Sequence, residues 1–316
     1  LKAKEQDSIN LPIEMEITHP ISLKPFQIEL LKMHSVLAVL NAVQYDLLRL
    51  SDYLENPDEL EKASNSLFYF SEDLNDPAKA FGRLESINQF CDQILAACES
   101  ALAKKGKSED THGQEVITNL SNIFTILKLR AQELCNRKEN GEAWQEFPIA
   151  ELENNFLHSF NAIEENDHGA YNLVNKLAQN FKAESQVNFK LSSENNSILL
   201  LPPVFLDVLR DLLINARKYT AANGLISASI HQNNKEISIV VEDSGLGIPN
   251  DELNEVVGFG YRAANTKSRP TRGGGFGLSK AYYVTKSFGG RFFIDSPVPG
   301  QSHGTKISIS LPLPTN

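Results

Sequence analysis

Apolar residues recur at three- and four-residue steps from Phe26 onward, at Phe26, Leu30, Met33, Leu37, Leu40 and Leu47. That period places them along one face of a helix and predicts a buried seam. Asn56-Pro57-Asp58 ends this helix and starts another, and a second break falls at Asn75-Asp76-Pro77. The next helix is predicted to run to about Lys105. Gly106 to Gly113 reads as a polar loop, and further helices are predicted over Glu115 to Arg137 and Ile149 to Lys182. Ahead of them, residues 1–22 read as an extended lead-in. Ile13 to Ile17 alternate in strand fashion there, and Pro20 and Pro25 interrupt any helix. The first half is thus a bundle of about five helical segments.

The pattern changes near Ala183. Gln186 to Leu191 and Ile198 to Leu201 read as short strands, and Pro202-Pro203 opens a helix. Leu225 to His231 and Glu236 to Val241 alternate as strands, with a hairpin turn at Asn233-Asn234. A helix over Ser279 to Phe288 is stopped by Gly289-Gly290, and strands follow at Arg291 to Asp295 and Thr305 to Leu311. Interleaved strands and helices predict an α/β sandwich. The expected organisation is a lead-in over 1–22, a helical domain over 23–185 and an α/β domain over 186–316.

Composition narrows the classes. The chain has 316 residues, 41% hydrophobic, and a formal net charge of -10. The acidic balance argues against broad nucleic-acid or anionic-membrane binding, while leaving room for a local positive pocket. No apolar run approaches the roughly 18 residues that span a bilayer. The chain starts at Leu1 without a Met, which carries the expectation of an upstream segment with room for a membrane or sensor region. Cys91, Cys98 and Cys135 show no metal-ligand spacing. Cys91 and Cys98 share a predicted helix face and are expected to pack, as suits a reducing cytoplasm.

Three separated pieces carry the chemistry. The first is Asp211-Leu-Leu-Ile-Asn215-Ala-Arg-Lys218-Tyr219-Thr220. Asp211 and Asn215 are four apart and share a helix face. The Asn215 amide oxygen suits a hard cation such as Mg²⁺, which takes few protein ligands and leans on phosphates. Lys218 reads as a point charge for phosphate and Tyr219 as a cover for a base, each against the alternative of an ordinary half-buried helix residue. The second piece, Glu242-Asp243-Ser-Gly245-Leu-Gly247-Ile248-Pro, ends a strand on an acceptor and then lets the backbone turn close to a ligand. The third, Gly273-Gly274-Gly275-Phe276-Gly277-Leu278-Ser279, puts bare backbone N–H groups before a helix, which suits phosphate. Between the last two, 258–272 carries Arg262, Lys267, Arg269 and Arg272 among small residues and reads as a mobile lid or a solvated basic loop.

In this order and spacing the pieces resemble the N, G1 and G2 boxes of the Bergerat-type ATP-binding fold. That fold is shared by sensor histidine kinases, DNA gyrase, the large heat-shock chaperone and MutL, and the wording here is most similar to histidine kinases. The resemblance implies ATP and Mg²⁺ as cofactors, with Asn215 carrying the metal and Asp243 taking the adenine amine. Nucleotide contacts fall on Lys218, Tyr219, Gly245, Gly247, Ile248, Arg262, Gly273, Gly275, Phe276, Gly277, Leu278 and Thr305. Asp211 stands where gyrase-like members keep a carboxylate, to orient a water or accept a proton; the alternative is a charge on a surface helix. The resemblance further implies a phosphoacceptor histidine on a dimeric bundle, a response-regulator receiver domain as partner, a homodimer, no nucleic acid, and a cytoplasmic site for these residues.

Two histidines compete for the acceptor role. His34 lies beside the apolar seam on the stripe Leu31, His34, Ala38, Asn41. His158 leaves little room before Asn215 for a second bundle helix, so His34 is preferred, with a structural histidine as the alternative. Ser35 and Ala38 depart from the acidic residue and the Thr or Asn usual after the acceptor. Two rivals stand beside a histidine kinase. One is a protein kinase of the dehydrogenase-kinase type, which also joins a helical domain to this ATP fold. The other is a non-catalytic phosphotransfer or binding scaffold.

Overall fold

A computed structural model describes residues 15–141, 143–154, 172–174, 186–194, 197–221, 223–267, 274–298 and 303–314. Among the described residues, the bundle is built of α1 Pro25–Tyr53, α2 Asp58–Leu74, α3 Ala80–Glu85, α4 Ile87–Lys104 and α5 Thr111–Asn140. Pro25 occupies the first helical position of α1, where its missing N–H costs nothing. Asp110 caps α5 by accepting from Gly113 N at 3.0 Å, and Tyr53 Oη donates to the same carboxylate at 2.8 Å, tying the end of α1 to the start of α5. The predicted seam closes the bundle core through Met33, Leu40 and Leu47, with Leu30 and Leu37 half-buried.

The sequence reading needs correction at several places in this half. Phe26, predicted on the seam, is 60% exposed, because it lies in the first turn, ahead of the bundle core. The single helix predicted up to Lys105 is two, α3 and α4. The helix predicted over 149–182 is helical at 149–154, but residues 172–174 form a strand. Cys91 and Cys98 pack as expected: both are fully buried, and burial pushes each thiol up to about 12. Although α1 is long and apolar enough by composition to cross a membrane, its apolar residues supply the bundle core.

The second half is a mixed seven-stranded sheet in the order β1-β8-β9-β7-β6-β4-β3. Its strands are β1 Met15–Glu16, β3 Asn172–Val174, β4 Gln186–Ser193, β6 Leu225–Gln232, β7 Glu236–Asp243, β8 Arg291–Asp295 and β9 Thr305–Pro312. The β3–β4 and β4–β6 pairs are parallel and the others antiparallel. A separate antiparallel pair joins β2 Gln145–Pro148 to β5 Ile198–Leu201. Ile237, Ile239 and Val241 alternate inward along β7 and pack with α6 Val204–Tyr219 and α7 Gly277–Ser287.

Strands from before residue 186 take part in this domain. Within the lead-in, Met15 pairs with Ile294, and Tyr282 on α7 donates to His19 O at 2.6 Å. β2 and β3 likewise pair with strands beyond 186. The helical and α/β parts are joined by a buried charge cluster. Asp207 on α6, 2% exposed, meets Arg137 at 2.9 Å and Arg130 at 3.5 Å from α5, and Arg210 at 2.8 Å on its own helix. Arg210 also grips Glu133 of α5, with Nη1 donating at 2.9 Å.

Candidate nucleotide site and its bundle wall

A cavity of about 480 Å³ opens between the sheet, α6, α7 and the first bundle helix. Asp243, Gly247, Ile248, Thr305, Val241 and Ile307 line it from the sheet side and the turn after β7. Asp243 closes β7, and its Oδ1 accepts from Gly245 N at 2.8 Å, which is how Gly245, itself not lining the cavity, shapes the site. Burial pushes the Asp243 carboxyl up to about 6, against the lowering pull of the Gly245 and Thr305 N–H groups. Ile248 N donates to Ser296 Oγ at 2.7 Å, which fixes the turn after β7.

The cavity is also lined by Asn215, Lys218, Arg262, Gly275, Phe276, Gly277 and Leu278, and by Tyr219, whose carbonyl accepts from Leu246 N at 3.3 Å. Burial, aided by the Arg262 charge, holds the Lys218 ammonium below its ordinary range. Gly275 has φ +74°, and a side chain there would meet Tyr261 O at 2.4 Å, so only glycine fits. A Cβ on Gly277 would stand 2.8 Å from Asn215 Nδ2, so this glycine leaves room for the Asn215 amide. Among the described residues no group of three His, Cys, Asp or Glu could hold a metal. The Asn215 amide, with room left beside it by Gly277, fits a Mg²⁺ ion that takes few protein ligands and leans on phosphates and waters.

The part of the predicted lid that is described, 258–267, is anchored rather than loose. Glu252 accepts from Tyr261 Oη at 2.6 Å and from Ala264 N at 3.0 Å, Arg262 donates to Thr266 O at 2.9 Å, and Asn265 donates to Gly247 O at 2.9 Å. Gly273, Arg269, Arg272 and His158 lie outside the described residues.

The third wall comes from the bundle. His34 lines the same cavity, its ring 5.6 Å from Phe276 in an edge-on arrangement. Its Nδ1 is buried and stands 3.6 Å from Asp211 Oδ2, a contact too long for a hydrogen bond. Asp211 is no surface charge: it is 7% exposed in the middle of α6. Burial raises its carboxyl, but the adjacent Lys280 ammonium, with His34, more than reverses that and holds it well below the usual carboxylate range. Lys280, which the sequence reading missed, donates to Asp211 Oδ2 at 3.0 Å and lies 3.6 Å from Asp207. No local sequence signal marks it: a lysine between Ser279 and Ala281 reads as solvent-facing, and only the fold buries all three.

Residues 202–315 match the model of the histidine kinase-, DNA gyrase B-, and HSP90-like ATPase family. The chain is 35% identical over 107 residues to the sensor histidine kinase WalK of Bacillus subtilis (strain 168), covering 33% of this chain and 17% of that protein. It is 40% identical over 103 residues to the adaptive-response sensory kinase SasA of Synechococcus sp. (strain CC9902), covering 30% of this chain and 27% of that protein. The chain thus spans about a quarter or less of the length of these relatives. Among solved structures, the mycobacterial sensor histidine kinase MprB is 21% identical over 53% of this chain and 97% of that one, at a TM-score of 0.39, too distant to bear on function.

Proposed function

We propose that this protein is a histidine kinase that moves the γ-phosphoryl group of ATP to His34 and from there to an aspartate of a response-regulator receiver domain. The observation that carries the reading is the shared cavity: His34 from the bundle and Asn215, Asp243 and Gly275 from the ATPase domain line one pocket. Transfer between two domains requires that meeting, because catalysis of phosphoryl transfer is mostly positioning and charge stabilisation. The names of the curated relatives support the same reading.

In this scheme Asp243 accepts from the adenine amine, Tyr219 and Ile248 cover the base, and Lys218, Arg262 and the N–H groups around Gly275 face the phosphates. Asn215 would hold Mg²⁺, which when bound neutralises phosphate charge. The His34 Nδ1 faces Asp211, leaving the Nε2 lone pair as the nucleophile. The new bond is Nε2–P; the bond from Pγ to the bridging oxygen breaks, and ADP leaves with that electron pair. The ring becomes cationic as it is phosphorylated, and the Asp211 carboxylate is placed to stabilise that charge through the Nδ1 proton. The bundle core closes within one chain, so a homodimer would add an interface rather than complete this one. The site of action is the cytoplasm, where ATP is available.

Incubation with γ-labelled ATP, followed by mapping of the labelled residue, tests the reading. An acid-labile label lost in His34→Gln and kept in His158→Gln is the expected result. Loss in His158→Gln alone moves the acceptor to His158. An acid-stable label, indifferent to both changes, makes this a hydroxyl kinase of the dehydrogenase-kinase type.

A further inference from the structure

Nothing in the boxes assigns Lys280, yet it is among the most buried charges described, with its side chain 3% exposed. Its Nζ donates to Asp211 Oδ2, the same oxygen that faces His34 Nδ1. We propose that Lys280 is a positioning residue for His34: it turns Asp211 Oδ2 onto Nδ1 and keeps that oxygen an acceptor, so that the imidazole proton sits on Nδ1 and Nε2 faces the nucleotide as a free lone pair. This rests on the reading of His34 as the acceptor.

The geometry leaves the carboxylate little choice. His34 Nδ1 is buried and makes no hydrogen bond in the empty protein; Asp211 Oδ2, 3.6 Å away, favours the ring proton on Nδ1 electrostatically and can close to a hydrogen bond as the ring becomes cationic. The charges around the pair are Asp207 on the same helix, Lys280 from α7, and Arg130 and Arg137 of α5 behind Asp207, with Arg210 beside them. Asp207, already paired with Arg130, Arg137 and Arg210, repels a second charge at Asp211, and Lys280 is the cation in direct contact with Asp211 that offsets this. The directions agree: burial works against ionisation of Asp211, and Lys280 is the largest opposing influence. Without the ammonium, a buried Asp211 would take up a proton and become a donor. A carboxylic acid donating to Nδ1 forces the ring proton onto Nε2, which blocks the nucleophile.

The test is Lys280→Met, a change of similar length that removes the charge. Nitrogen NMR of histidine-labelled protein reads the His34 tautomer, and rapid-quench labelling reads the transfer rate. The expected result is a shift of the neutral ring from the Nδ1–H to the Nε2–H form, with transfer slowed about 10- to 100-fold, as for other lost partners that orient a histidine. ATP affinity should stay within about threefold, since Lys280 does not line the cavity. Asp211→Asn should slow transfer similarly, and the double variant should be no slower than either single one, because both act through one contact. An unchanged tautomer and rate in Lys280→Met overturn the proposal. So does an Nε2–H tautomer in the unaltered protein, which needs no variant to fold. If His34 carries no label but its ring is Nδ1–H and switches in Lys280→Met, the positioning holds and the phosphoacceptor reading is what fails.

Discussion

Asp243 offers the sharpest check on the nucleotide site, because its role and its cost to the empty protein pull in opposite directions. Its carboxyl sits at about 6 rather than near 3.8, since burial disfavours the charged form. The unfolded chain ionises this group near pH 4 and the folded one near pH 6. As far as Asp243 is concerned, stability therefore falls as pH rises from about 4 to 6 and is constant above, with a total cost of about 3 kcal/mol. Asp243→Asn removes that cost but loses one of the two backbone hydrogen bonds accepted from Gly245 and Thr305, worth about 1–3 kcal/mol. The empty variant should be as stable as the parent or up to about 2 kcal/mol more stable. Nucleotide binding should move the other way. An ionised acceptor for the adenine amine is worth about 1–2 kcal/mol over a neutral one, so ATP should bind about 5- to 30-fold more weakly at pH 7.5. Parent affinity should also fall below pH 6 as Asp243 protonates, with proton release on binding that the variant lacks. Calorimetry in buffers of different ionisation heat, beside thermal unfolding of the empty protein, reads both quantities. A variant that binds ATP within twofold of the parent and releases the same protons would refute Asp243 as the adenine acceptor.

Other consequences are more local. Gly277→Ala should displace the Asn215 amide it would crowd, weakening Mg²⁺-dependent ATP binding more than Mg²⁺-free binding; equal losses in titrations with and without Mg²⁺ would contradict that. Asp207→Ala removes the anion shared by Arg130, Arg137, Arg210 and Lys280, and breaking such a buried cluster should cost about 3–5 kcal/mol in a denaturant melt. Burial alone would raise Asp207, but Lys280, Arg137 and Arg130 depress it, and Asp211 is depressed too. The stability these two contribute is present above about pH 4 and lost as pH falls further, so parent and Asp207→Ala melts should converge in acid. Leu40→Ala should cost about 2–5 kcal/mol, whereas Phe26→Ser should be near neutral because that ring is exposed; comparable losses would mean that Phe26 is covered in solution.

What the sequence by itself determined is the chemistry that depends on local backbone. Gly275 and Gly277 stand where a side chain would strike backbone or the Asn215 amide, and Asp243 and Asn215 sit at a strand end and on a helix face that spacing alone defines. The three pieces around Asn215, Asp243 and Gly275 were legible for that reason, and so was the bundle, since three- and four-residue steps need no partner to be read. Tertiary structure alone decided the rest. Met15 and Glu16 find Ile294 and Phe293 across almost the whole chain, a pairing no local pattern encodes. Phe26 carries the right period but falls ahead of the core. Lys280 reads as a solvent-facing lysine until Asp207 and Asp211, on another helix, enclose it. The placing of His34 against Asp211 and Phe276 depends on how the bundle docks on the ATPase domain. Long-range docking and shared burial set these features, because the energy of a buried charge depends on which groups three-dimensional packing brings around it and not on its neighbours in sequence.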